Sequence, residues 1–118
     1  MNYFIYELDG EELKFRLTSA DCLEIEEKYK TKLLDFLQDY SMTAIITMLR
    51  YMRKSDVPNF SRNDACNLYD KLINSGLSFE EILFKIIYPT AVVSGFLKQS
   101  DLDDMMEKIE KEPIKKSE

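Results

Sequence analysis

The sequence predicts an α+β domain that is mainly helical, in which an amino-terminal β-hairpin packs on four or five helices. Residues 3–18 alternate apolar and polar side chains around Asp9-Gly10, a dipeptide typical of tight hairpin turns. The chain after this segment carries apolar side chains at helical spacing, interrupted by helix-capping residues and by two further glycines. Strand pairing at one end and helices elsewhere define the predicted class.

Length and composition indicate one domain. A chain of 118 residues has the usual single-domain size, and its composition of 45% hydrophobic and 32% charged residues is that of an ordinary globular protein. We expect the domain to cover residues 1–110 and residues 111–118 to form a charged, flexible tail. The apolar stretches are shorter than the roughly 20 residues that a bilayer requires, and the amino terminus lacks the pattern of a signal peptide. A cytoplasmic protein with no membrane partner is therefore expected.

Two registers of the hairpin are open from the sequence. A two-residue turn pairs Phe4 with Phe15, whereas a four-residue loop pairs Leu8 with Leu13. Both registers keep the same apolar face, formed by Phe4, Tyr6, Leu8, Leu13, Phe15 and Leu17. Because an isolated hairpin is marginally stable in water, this face is expected to pack on the helices.

Helical spacing begins after the hairpin and predicts a helical region at residues 19–39. Thr18 and Ser19 offer cap oxygens at its start, and the apolar stripe is Cys22, Ile25, Tyr29, Leu33 and Phe36. The Lys30-Thr31-Lys32 segment can interrupt this region, giving helices near 19–29 and 32–39.

The next helix is predicted at residues 42–54, with Ser41 as its cap. Apolar side chains surround most of it and leave a narrow polar stripe of Thr43, Thr47, Arg50 and Lys54. A helix with so wide an apolar surface is usually central.

Three more helices are predicted in the second half of the chain. Two capping boxes and a glycine stop bound the helices at 62–75 and 79–94, through the pairs Ser61/Asp64 and Ser78/Glu81 and through Gly76. Pro89 is expected to kink the second of these, because it lacks a backbone N–H. A short amphiphilic helix is expected at 101–109.

One side of helix 79–94 predicts a candidate binding surface. Phe84, Tyr88 and Val92 recur at i, i+4 and i+8, roughly opposite the core stripe that contains Ile82 and Ile86. A second apolar face indicates either burial on both sides or a partner. We take Phe84, Tyr88, Val92 and Phe96 as the hypothetical partner-binding residues.

No catalytic or metal-binding set is visible in the sequence. The chain has no histidine, which removes Ser-His-Asp and Cys-His catalysis and the common zinc frameworks. Its two cysteines, Cys22 and Cys66, are far apart and are expected to be reduced, packed thiols. We therefore expect neither an enzyme nor a cofactor. A net charge of −6 also argues against a nucleic-acid partner, although Arg50, Arg53, Lys54 and Arg62 cluster around residues 55–60.

Five short phrases follow one another along the chain: Asp9-Gly10, Glu26-Glu27-Lys28, Leu33-Leu34-Asp35-Phe36-Leu37, Leu68-Tyr69-Asp70 with Gly76, and Ser94-Gly95-Phe96. In this order they resemble the small tail assembly chaperones of long-tailed bacteriophages and prophages. They extend over residues 3–97. The chain departs from the family at Lys30-Thr31, where glycine is common, and in lacking a tryptophan in the central helix.

The resemblance implies a non-catalytic protein that binds and solubilises the tape measure protein and helps recruit tail tube subunits. It also implies action in the host bacterial cytoplasm and absence from the mature virion. Such chaperones are often made in two lengths by ribosomal frameshifting, for which Lys115-Lys116 could mark the slip site; a lysine-rich tail is the alternative. A homo-oligomer is possible. The alternative function is a small cytoplasmic helical adaptor or immunity-type binding module.

Overall fold

The computed structural model is an α+β fold that is mainly helical. It describes the backbone of residues 2–110 and the side chains of residues 2–107. The expected tail at 111–118, with Lys115-Lys116, lies outside the described residues. Two antiparallel strands, β1 (Phe4–Leu8) and β2 (Glu11–Phe15), begin the chain and the helices follow.

The helices occupy most of the chain after the hairpin. They are α1 (Ser19–Tyr29), α2 (Leu33–Leu37), α3 (Met42–Lys54), α4 (Arg62–Asn74), α5 (Phe79–Ile82), α6 (Tyr88–Val93) and α7 (Gln99–Glu110). A π-helical turn at Leu83–Ile87 joins α5 to α6 without a break, so that 79–93 is one continuous helical segment. When this segment is counted once, the described residues contain six helices, because the predicted 19–39 region is divided into two, as the Lys30-Thr31-Lys32 segment allows.

The hairpin adopts the register of the two-residue turn. Phe4 pairs with Phe15 and Leu8 with Glu11, and both turn residues have the positive φ that this turn requires, 52° for Asp9 and 82° for Gly10. The predicted apolar face is confirmed. Its members Leu8, Leu13, Phe15 and Leu17 are buried, and Phe4 and Tyr6 pack partly buried against the core.

Of the two alternatives for residues 19–39, the one with a helix break at Lys30-Thr31-Lys32 is present. Lys30 ends α1 in the left-handed region at φ 54°, and α2 begins at Leu33, whose N–H is bound by the Glu26 carboxylate at 2.9 Å. The Thr18/Asp21, Ser61/Asp64 and Ser78/Glu81 capping boxes are all formed. Local hydrogen bonds thus fix the helix starts that the sequence indicates.

One core joins the hairpin to every helix. Its most buried large side chains come from β2, α1, α3, α4 and the 79–93 segment, and Leu102 brings α7 into the same cluster. α3 is central as predicted, packing against α4, β2 and the π turn. Cys66 departs from expectation. It is exposed on α4, because Ala65 and Leu68 occupy the inward positions of that helix.

Candidate partner-binding surfaces

The 79–93 segment widens around its proline. The Tyr88 N–H donates to Leu83 O, five residues back, and Pro89 follows in the first turn of α6. A π turn accommodates the missing N–H and the bulk of the proline ring, which an uninterrupted α-helix would not. The Thr90 hydroxyl, fully buried, donates to Ile86 O at 2.7 Å and satisfies a carbonyl in this turn.

Tyr88 does not belong to an exposed stripe, so that part of the predicted surface is wrong. Its side chain is fully buried, and its hydroxyl donates to Leu37 O at 2.7 Å. Burial raises the pKa of Tyr88 above its usual range, and the neighbouring Tyr40 adds to the rise. Phe84 stacks edge-on against the Tyr88 ring at 5.1 Å. This side of the segment is a second core face, covered by the end of α2.

Phe84, Val92 and Phe96 are partly buried and pack against the core. They do not form one exposed surface with Tyr88. The Ser-Gly-Phe phrase has a structural role. The Ser94 hydroxyl accepts from the Leu17 N–H at 2.9 Å, Gly95 has a φ of 93°, and the Phe96 N–H donates to Ala91 O at 2.8 Å. That Phe84, Val92 or Phe96 contacts a partner remains a prediction.

A different surface is a groove over α3, which we call the α3 groove. It lies between the end of α1 and the start of α4 and has a volume of about 240 Å³. The residues that line it are Tyr29, Met42, Thr43, Ile46, Thr47, Arg62 and Cys66. Its volume suits a few inserted side chains and is too small for a whole helix. Met42, 47% exposed, is the largest apolar side chain that it leaves open to solvent.

The α3 groove has a basic rim. A smaller pocket that shares four of its lining residues extends it past Lys28, Arg50 and Tyr51. Arg50 lies over the Tyr51 ring at 5.6 Å, and its buried Nε has no hydrogen-bond partner among the described residues. Burial raises the pKa of Tyr51, and the Glu24 carboxylate beside it contributes in the same direction. Lys28, Arg50 and Arg62 line these two adjoining pockets, so the rim is basic although the net charge of the chain is −6.

The groove was only indirectly visible in the sequence. The polar stripe predicted on α3 supplies its floor, and Thr47 from that stripe is buried with its hydroxyl 3.2 Å from the Tyr29 hydroxyl. A buried polar stripe on a central helix is the signal that could have located the groove. What the sequence did not provide was the position of α1 and α4 on either side of that stripe.

Arg53 is the buried member of the basic cluster Arg50, Arg53, Lys54 and Arg62. Its side chain is buried between the rings of Phe15 and Phe60, at 5.7 and 5.5 Å, and pairs with Asp56 at 3.1 Å. The same guanidinium donates to Lys14 O at 2.9 Å. Arg53 thus holds the hairpin to the end of α3.

Within the described part of the chain, no group of three or more His, Cys, Asp or Glu side chains is placed to hold a metal ion. None of the described helices is long and apolar enough to cross a membrane. The chain was compared with protein-family models, with curated proteins and with solved structures, and none of the three comparisons found a match.

Proposed function

We propose that this protein is a non-catalytic tail assembly chaperone of a long-tailed bacteriophage or prophage. In this role it binds and solubilises the tape measure protein and helps recruit tail tube subunits. It acts in the host bacterial cytoplasm and leaves before the virion is complete. The observation that carries the proposal is the ordered series of phrases across residues 3–97 that resembles this family.

The structure gives support by assigning a physical role to several of those phrases. Asp9-Gly10 forms the hairpin turn, and Gly76 and Gly95 end helices at positive φ. Ser94 binds the backbone at the end of the hairpin. Three of the five phrases therefore supply turns or helix ends of this fold, as expected if the chain and the family share an architecture.

The α3 groove is the surface that we assign to the tape measure protein. Its volume accepts anchor side chains spaced at i and i+3 or i+4 on an amphipathic helix. Its rim of Lys28, Arg50 and Arg62 favours a helix with acidic residues beside those anchors. The net charge of −6 would keep a coated tape measure protein from aggregating. Binding requires no catalytic group.

Co-expression with a fragment of the tape measure protein, which the proposal expects to be encoded immediately downstream, tests the proposal. We expect the wild-type chain to shift the fragment from the insoluble to the soluble fraction and to co-purify with it. Met42→Glu and Arg62→Glu, both at exposed positions, should weaken binding at least about tenfold by placing like charges against the acidic helix. Met106→Glu and Lys71→Glu are matched controls at exposed positions outside the groove, and they should bind as wild type does.

The possible outcomes separate the alternatives. A fragment that stays insoluble with every form of the protein would contradict the chaperone proposal and favour the adaptor or immunity-type module. Solubilisation that is unaffected by Met42→Glu and Arg62→Glu but lost with Val92→Asn would return the binding site to the 79–93 segment. Finding the protein in purified virions by mass spectrometry would contradict its departure before completion.

A further inference from the structure

The two outer edges of the hairpin differ in whether their backbone groups are hydrogen-bonded. The outer edge of β2 is bound to the end of α3, where Lys14 O accepts from Arg53 at 2.9 Å and the Arg16 N–H donates to Met52 O at 2.9 Å. Backbone groups on a strand alternate in direction, so Lys14 and Arg16 both direct theirs away from β1. This edge is closed by the protein itself.

The outer edge of β1 is open. Ile5 is the partner of Lys14 in the hairpin, and since Lys14 directs its backbone groups away from β1, Ile5 directs its own away from β2. By the same alternation, so do Tyr3 and Glu7. Among the described residues, none of these outward N–H and C=O groups has a hydrogen-bond partner. An open strand edge is a template for pairing with another strand.

The outer face of β1 is complementary to itself in one antiparallel register. A two-fold axis at Ile5 places the Ile5 side chains of two copies side by side and pairs Tyr3 with the partner's Glu7. Ile5 is 49% exposed, which leaves an apolar surface at the centre of this register. On the inner face, the same register places the partly buried Phe4 beside the partner's Tyr6.

Charge favours the register centred on Ile5 over the register centred on Glu7. The Lys14 ammonium lies 5.9 Å from the centroid of the Tyr3 ring, so the pairing brings it beside the partner's Glu7 carboxylate. In the single chain, Glu7 lies directly opposite Glu12, an unfavourable pair of like charges. A register centred on Glu7 would add a second like-charge pair, whereas the one centred on Ile5 gives each Glu7 an opposite charge.

We propose that two copies of this chain associate through β1 in an antiparallel pair centred on Ile5, forming a four-stranded sheet in the order β2-β1-β1-β2. The association does not depend on the proposed function, because it uses the hairpin alone. A five-residue edge buries much less than the roughly 1,200 Å² of a standard stable interface, so the dimer is weak. It forms at high local concentration, as when several copies bind one long partner.

Sedimentation of the purified full chain over about 10 µM to 1 mM tests the proposal, a range suited to weak association. We expect reversible dimerisation that Glu7→Lys and Lys14→Glu each weaken at least about tenfold, because each places like charges across the axis. The double variant Glu7→Lys/Lys14→Glu should restore it. The single variant Glu7→Lys also removes the repulsion between Glu7 and Glu12, so circular dichroism should show that it remains folded.

A cross-link tests the register. Paired residues at this position have Cα atoms about 5.5 Å apart, within the range that a disulfide spans. Ile5→Cys in a Cys66→Ser background should therefore form a disulfide-linked dimer under mild oxidation. Leu23→Cys in the same background, at a more exposed apolar position on α1, is the control and should not. A chain that stays monomeric to about 1 mM, or charge variants that leave association unchanged, would overturn the proposal.

Discussion

Cys22 and Cys66 show how strongly local surroundings separate two side chains of one type. Cys22 is buried on the inner face of α1, whereas Cys66 lies exposed at the α3 groove. Burial raises the pKa of the Cys22 thiol to about 11, and the carboxylates of Asp21 and Glu26 add to the rise. The thiolate is the reactive form, so Cys22 should be inert in the folded chain.

We therefore expect a disulfide reagent at pH 8 to label Cys66 rapidly and Cys22 only when the chain unfolds.

The raised pKa of the Cys22 thiol also predicts that the chain is destabilised at alkaline pH. The unfolded thiol loses its proton at about pH 9 and the folded one at about 11, so the stability held at lower pH is lost as the pH rises through that interval. Chemical denaturation from pH 7 to 11 measures it, and Cys22→Ala should make the decline shallower, the remainder coming from the raised pKa values of Tyr51 and Tyr88. Equal labelling rates for both thiols would contradict the burial of Cys22.

Tyr88 marks where residue-level prediction failed. The spacing of Phe84, Tyr88 and Val92 allowed either burial on both sides of the helix or a partner, and for Tyr88 the first alternative holds. The Phe84 and Tyr88 rings still pack against each other, but the end of α2 covers them and accepts the Tyr88 hydroxyl at Leu37 O. The sequence indicated that Pro89 would disturb the helix. That the helix responds by forming a π turn depends on how the segment packs, which the spacing of apolar residues does not specify.

At the scale of elements, prediction succeeded where the determinants are local. Cap residues such as Ser61 and Ser78, and the Asp9-Gly10 turn, act through hydrogen bonds and backbone conformations within a few residues. The predicted bounds of α3 match those of the structure. The start of α7 was placed two residues late, because the Asp101 carboxylate binds the Lys98 N–H and starts the helix at Gln99. The α3 groove escaped prediction because it depends on three separate elements.

The end of α1 offers a test of local strain. Lys30 occupies a left-handed cap at φ 54°, a conformation that costs a residue with a Cβ about 1–2 kcal/mol. Lys30→Gly should raise the free energy of unfolding by about 0.5 kcal/mol, the relief of strain being partly offset by the greater freedom of glycine in the unfolded chain.

The matched control for Lys30→Gly lies two residues earlier in the same helix. Lys28→Gly, inside α1, should lower the free energy of unfolding by about 1 kcal/mol, because glycine is a poor helix former. Urea denaturation of both variants measures the two changes. If Lys30→Gly destabilised the chain as much as Lys28→Gly does, the left-handed cap would not be the source of the strain.

At the scale of the whole molecule, charge is unevenly distributed over one shared core. Residues 1–27 carry eight acidic and two basic side chains, whereas residues 28–66 carry four acidic and seven basic ones. The first region contains the β1 edge, and the second contains the α3 groove and its basic rim. A partner helix and a second copy would therefore meet different surfaces, and both could bind at once.

The continuity of the core predicts cooperative unfolding. The hairpin is held to α3 by Arg53 and to the end of α6 by the Ser94 hydroxyl, and Leu102 anchors α7 in the same cluster. Within the described residues, the large elements share this one cluster, so losing one exposes the others. We expect urea unfolding curves from far-UV circular dichroism and from tyrosine fluorescence to coincide in a single transition. Leu102→Ala should lower the free energy of unfolding by about 2–4 kcal/mol. The transition then moves to a lower urea concentration but stays single. An earlier, separate loss of helical signal would show instead that α7 unfolds independently of the core.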